Sequence, residues 1–182
     1  MNFVNGTAET FAELFGPHGF IYATRIQDLY PDKEITVIFA KTGDFPEIDN
    51  VPAQAFVSHM KLDTLKVSYD KNDPLALVLY PEIMNAQNVG TEGMRTEFIN
   101  IGTLIHELTH VRQVFSGRME TVGFMKMIWE GVYHEIELKG YLAQPWEKEA
   151  CMAQLEWLSK GDEELAKAWY QEMVKASMQI DQ

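Results

Sequence analysis

The chain has 182 residues, 46% of them hydrophobic and 12% aromatic, which is enough for one soluble globular domain with a core that needs no staples. Fifteen Lys and Arg stand against 27 Asp and Glu, and a net charge of −12 would repel a phosphate backbone, so nucleic acid is excluded as an expected partner. Cys151 is the single cysteine, so no intrachain disulfide can form, which suits a reducing compartment.

The N-terminal sequence MNFVNGTAETFAELFG lacks a basic region followed by an apolar core, so a secretory signal is not expected. No apolar run approaches the roughly 20 residues of a membrane helix, and no membrane partner is expected. The expected location is cytoplasmic, or outside the cell by a route that needs no cleaved signal.

In chain order, residues 7–15 read as a short helix capped by Thr7 and ended by Gly16-Pro17. Residues 20–30 are ambiguous, and a second short helix closed by Pro31 is one reading. Residues 34–42 are β-rich and read as a buried strand, followed by loop from Gly43 to Pro52. Residues 64–70 alternate, with Leu65, Val67 and Tyr69 on one side; a KNDP turn then leads to a strand at 75–82, and the two are expected to pair as a hairpin. Residues 85–94, rich in Gly and Asn, read as a flexible loop.

A helix is predicted from near Thr96, with Ile101, Leu104, Leu108, Val111 and Phe115 as its apolar stripe and Gly117 at its end. Residues 119–139 carry Val122, Met125, Ile128, Trp129, Val132 and Ile136 at helical spacing and are expected to be helical, although Gly123 and Gly131 argue against one unbroken helix. Pro145 opens a helix over 146–160. Gly161-Asp162 opens a last helix with Asp162 as N-cap. The expected class is α+β in one domain over 1–182. A small, mainly antiparallel sheet lies within 1–95, and a helical part follows over 96–182.

The predicted helix over 96–115 contains His106-Glu107-Leu108-Thr109-His110. Residues four apart stand one above the other on a helix, so both imidazoles can reach one metal ion. Glu107 lies about 100° further round, beside the metal rather than on it. Two imidazoles, a water and a free carboxylate are the parts of a zinc hydrolase.

A catalytic zinc takes a third protein ligand. The metzincin pattern would place a His at Ser116 and a Gly at Gln113, so it fails. A carboxylate from a later helix is the other common solution, and QPWEKEA offers Glu147 and Glu149. Glu147 shares its face with Ala150, Cys151, Gln154 and Leu158; Glu149 shares its face with Ala153, Glu156 and Lys160, a more polar set. Glu147 is therefore the preferred ligand and Glu149 the surface or supporting residue.

The pair HELTHVRQ and YLAQPWEKEA resembles a minimal gluzincin, the thermolysin-like class of zinc metallopeptidases, and is similar to small metallopeptidases of phages, effectors and toxins. The resemblance covers residues 98–155. It implies a zincin-like fold, one Zn²⁺ per chain on His106, His110 and Glu147, and Glu107 as general base. It also implies a peptide or protein substrate, lying along a sheet edge within 64–82. Many gluzincins place an Asp four residues after the glutamate ligand to orient the first His; here that position is Cys151. Tyr141, just before the P-x-E pattern, is the preferred donor to the oxyanion, with His134 and Tyr133 as further candidates.

Two other classes remain open. One is a zincin-fold binding or regulatory module that holds zinc without turnover. The other is an amidase acting on a non-protein amide such as peptidoglycan. A peptide deformylase would need an upstream cysteine ligand, and none exists. His18 and His59 are not expected to be ligands. Arg112 and Gln113 are expected on a solvated helix face or a pocket rim, and Cys151 as a small buried hydrophobe.

Overall fold

The structure is a computed structural model, and it describes residues 1–45, 54–86, 93–123, 125–136, 141–161, 166–167, 170–171 and 174. A short strand β1 (Asn2–Val4) leads into helix α1 (Ala8–Leu29). Thr7 caps α1 reciprocally with Thr10, as the sequence implies. The predicted stop at Gly16-Pro17 is a kink: Gly16 takes φ 56° and ψ −167°, and the ambiguous residues 20–30 continue as helix to Leu29. His18 is therefore helical and not in a turn.

The strands β2 (Ile35–Phe39), β3 (Ala55–Lys61), β4 (Lys66–Ser68) and β5 (Leu75–Leu79) complete a five-stranded sheet in the order β1-β2-β5-β3-β4. β1, β2 and β5 run parallel, while β3 is antiparallel to both β5 and β4. The sheet is thus mixed, which corrects the expected mainly antiparallel one, and the class is mixed α and β. The expected hairpin of residues 64–70 with 75–82 does not form either. β3 lies between them, with His59 opposite Ser68 of β4 and Leu75 of β5. The reason is burial. β2 and β5 are buried at every position and apolar at every one but Thr36, so they need neighbours on both edges and cover on both faces.

Helices supply one cover. Leu77, Leu79, Val37 and Ile35 pack with Phe11, Leu14 and Phe15 of α1 and with Ile101, Leu104, Leu108 and Val111 of helix α3 (Gly93–Phe115). On the other face Ile38, Ala76 and Val78 pack with Phe45, Met60 and Tyr80. The short helix α2 (Pro81–Ala86) follows β5. Most of the predicted loop at 85–94 falls on residues 87–92, outside the described residues.

The predicted helix at 119–139 is instead a three-stranded antiparallel sheet, β6 (Met119–Gly123), β7 (Lys126–Trp129) and β8 (Val132–Glu135). Glu130 and Gly131, at φ 48° and 82°, make the two-residue turn that such hairpins favour. The apparent helical stripe is not a core, since Val122 and Val132 are 37% and 59% exposed. What is buried is Met119, Met127 and Trp129, at strand spacing, against Trp146. Helix α4 (Pro145–Gly161), preceded by a 3-10 turn (Tyr141–Ala143), matches the prediction. Asp162, the expected cap of the last helix, is outside the described residues. No helix of the described residues is long and apolar enough to cross a membrane.

Candidate metal centre

The site lies between α3 and α4. One face of α3 buries Leu104, Leu108 and Val111 against the sheet, which turns the histidine face toward α4. α4 presents Trp146, Ala150, Cys151, Gln154 and Leu158 in return, all buried. Gly102 permits the close approach, because a Cβ there would stand 3.3 Å from Leu158 Cδ2 and 3.5 Å from Gln154 Cγ. Trp157 fixes the register: its Nε1 donates to Phe98 O at 3.0 Å.

This packing brings the predicted residues together. His106 Nε2 and His110 Nε2 are 3.1 Å apart, and each is 3.3 Å from Glu147 Oε2. Among the described residues these are the three whose ligand atoms converge closely enough to hold a metal ion. The oxygen itself is buried and has no hydrogen-bond partner. A buried carboxylate oxygen left in that state is costly, and a cation shared with two imidazole nitrogens relieves it.

The outer nitrogens are held too. His110 Nδ1 is 2.9 Å from Gln113 Oε1, and Gln113 Nε2 donates to Trp146 O at 3.1 Å. His106 Nδ1 is 3.9 Å from Cys151 Sγ, at the position where the resembled pattern has Asp. Gln113 is 0% exposed, so of its two expected places, a solvated face or a pocket rim, the solvated face is excluded. The signal was available, because Gln113 lies three residues after His110 and so shares its face.

Glu107 is buried beside the cluster but contributes no atom to it. Burial raises its pKa, and the neighbouring histidines only partly oppose this. Burial alone would push His110 down, but the charge of the Glu147 carboxylate 3.3 Å away outweighs it and carries His110 up to about 9. Glu147 is correspondingly held well below the usual carboxylate range: burial opposes this, and the two imidazoles prevail.

Glu149 points elsewhere. Its oxygens pair with Arg112 Nη2 at 2.7 Å and Arg118 Nη1 at 3.0 Å. Tyr141 begins the 3-10 turn before α4, but its side chain lies outside the described residues. His134 packs its ring 5.3 Å from that of Trp146, next to Glu147, whereas Tyr133 is 53% exposed on the opposite face of β8. His59 is buried in β3 with Nδ1 2.8 Å from Asp73 O, and neither it nor His18 joins the cluster. Comparison with known protein families, curated proteins and solved structures finds no match to this chain.

Proposed function

We propose that the chain is a zinc-dependent metallopeptidase of gluzincin type, acting on a peptide or protein substrate. One observation carries this: two imidazole nitrogens and an unpartnered, buried carboxylate oxygen converge within 3.3 Å of one another, with a separate buried carboxylate alongside. Two nitrogens and one oxygen form a donor set that suits zinc and leaves a coordination position for water.

His106 and His110 would hold the ion through Nε2 and Glu147 through Oε2. A zinc ion bound there would lower the pKa of its water and polarise the scissile carbonyl. Glu107, buried beside the cluster, would serve as the base that accepts a proton from the attacking water and returns it to the leaving nitrogen. Tyr141 is the proposed donor to the developing oxyanion.

The test is metal content of gently purified protein, followed by hydrolysis of unfolded protein, defined peptides and cell-wall fragments. We expect about one zinc per chain and peptide cleavage that falls about 10²- to 10⁴-fold in Glu107→Gln with zinc retained. Zinc without turnover would make the chain a silent zincin-fold module. Cleavage confined to cell-wall fragments would make it an amidase. No zinc after reconstitution would sink the reading.

A further inference from the structure

We infer that Gln113 is a positioning residue that fixes which nitrogen of His110 faces the metal, and that it takes its own orientation from the backbone beside the third ligand. The inference rests on the metallopeptidase reading of this site. The argument is one of donors and acceptors. The carbonyl of Trp146 can only accept, so the Gln113 side-chain atom 3.1 Å from it must be the NH₂ group. The other amide atom, 2.9 Å from His110 Nδ1, is then the oxygen, which also can only accept. His110 must therefore carry a proton on Nδ1. In the neutral ring that leaves the lone pair on Nε2, the atom 3.3 Å from Glu147 Oε2.

The polarity thus runs in one direction, from the Trp146 carbonyl through the Gln113 amide and the His110 ring to the metal position. Trp146 directly precedes Glu147, so the segment that delivers the third ligand also sets the tautomer of the second. Gln113 is 0% exposed and Trp146 2% exposed, so water does not compete for these bonds. A hydrogen-bonded Nδ1–H also makes Nε2 a better ligand.

Zinc is the probe. Its dissociation constant is measured by chelator competition for the wild type, Gln113→Met and Gln113→Glu, and the metal-free melting temperature of each is recorded. Gln113→Met removes both bonds and is expected to bind zinc about 10- to 100-fold more weakly. Gln113→Glu keeps an acceptor for Nδ1–H but loses the donor to Trp146 O. It is expected to melt lower yet bind within about threefold of wild type, or tighter. In the zinc-loaded protein, a slowly exchanging His110 Nδ1–H proton resonance should be present in wild type and Gln113→Glu and absent in Gln113→Met. Affinity that simply follows melting temperature overturns the assignment, as does a loss in Gln113→Met of less than about tenfold. If Gln113→Met does not fold, Gln113→Glu decides alone, and weakening there beyond about threefold overturns it. A wild type that binds no zinc fails earlier, at the metal reading itself.

Discussion

Arg112 Nη2 donates to Glu149 Oε1 at 2.7 Å, two residues along both helices from the approach of His110 to Glu147. The α3–α4 seam is therefore tied twice, once by the candidate ligands and once by an ion pair at its edge. Arg118 extends the outer tie, since it bonds both Glu149 and Glu130 and lies 4.6 Å from the ring centroid of Trp129. This separates the two glutamates of α4 by role. Glu149→Ala should leave zinc content unchanged and lower stability by about 0.5–1 kcal/mol, because the Arg112 side chain is 47% exposed and such pairs are screened. Glu147→Ala should abolish tight zinc binding. Elemental analysis and urea denaturation of both variants check this, and zinc lost from the Glu149 variant alone would reverse the assignment.

The legible parts of this molecule were local ones. Thr7 as a cap, the helical phase that put His106 and His110 on one face, and the turn from Pro145 into Glu147 all depend on residues a few positions apart. What failed depends on partners distant in sequence. β3 inserts between β4 and β5, and no spacing within 64–82 encodes that. The sheet at 119–135 was hidden because Val122, Met125, Ile128, Trp129, Val132 and Ile136 satisfy a helical period by coincidence. The discriminating signal is Glu130-Gly131, a turn pair preceded by Met127 and Trp129, which are buried two positions apart. Gln113 follows His110 in helical phase and is buried, whereas Arg112, one position earlier, is exposed, so the two do not share one environment.

Cys151 offers a chemical check on how closed the site is. The thiol is buried 3.9 Å from His106 Nδ1. Burial first, and then the charges of Glu147 and Glu107, push its pKa up from 9.0 to about 12. At pH 8 the thiolate fraction is then about a thousandfold below that of an ordinary cysteine. With a chelator present, iodoacetamide should label Cys151 at least that much more slowly in the native protein than in denaturant. Labelling at comparable rates would mean that α4 opens away from α3 far more readily than this packing implies.

The kink in α1 should be glycine-dependent. At φ 56° and ψ −167°, Gly16 occupies backbone space that residues with a Cβ hardly use. A Cβ there would also fall 2.0 Å from Glu97 Oε1, although that carboxylate is a flexible end and can move. The backbone strain remains, so Gly16→Ala should lose about 1–3 kcal/mol in urea unfolding. The kink also lets Asn100 Nδ2 donate to Leu14 O at 3.2 Å, which joins α1 to the helix that carries both histidines. Unchanged stability in Gly16→Ala would show that α1 can straighten without loss.

The sharpest prediction concerns pH, because the site reverses its behaviour according to whether metal is bound. Without metal, His110 titrates near 9 in the folded chain against an ordinary 6.5. A folded pKa above the unfolded one means that the native state binds the proton more tightly. The stabilisation is fully present below about pH 6.5 and is lost as pH rises through 9. With zinc, the imidazoles must be unprotonated to act as ligands, so protons compete with the metal, and raising the pH over the same window strengthens binding. Melting temperatures from pH 6 to 9.5 should therefore fall with pH in a chelator and rise with pH in zinc. Glu147→Gln removes the charge that holds the proton on His110, so the downward slope in chelator should flatten in that variant. A slope that persists in Glu147→Gln would assign the titration to another group, and parallel slopes with and without zinc would mean that the metal is not held by His110.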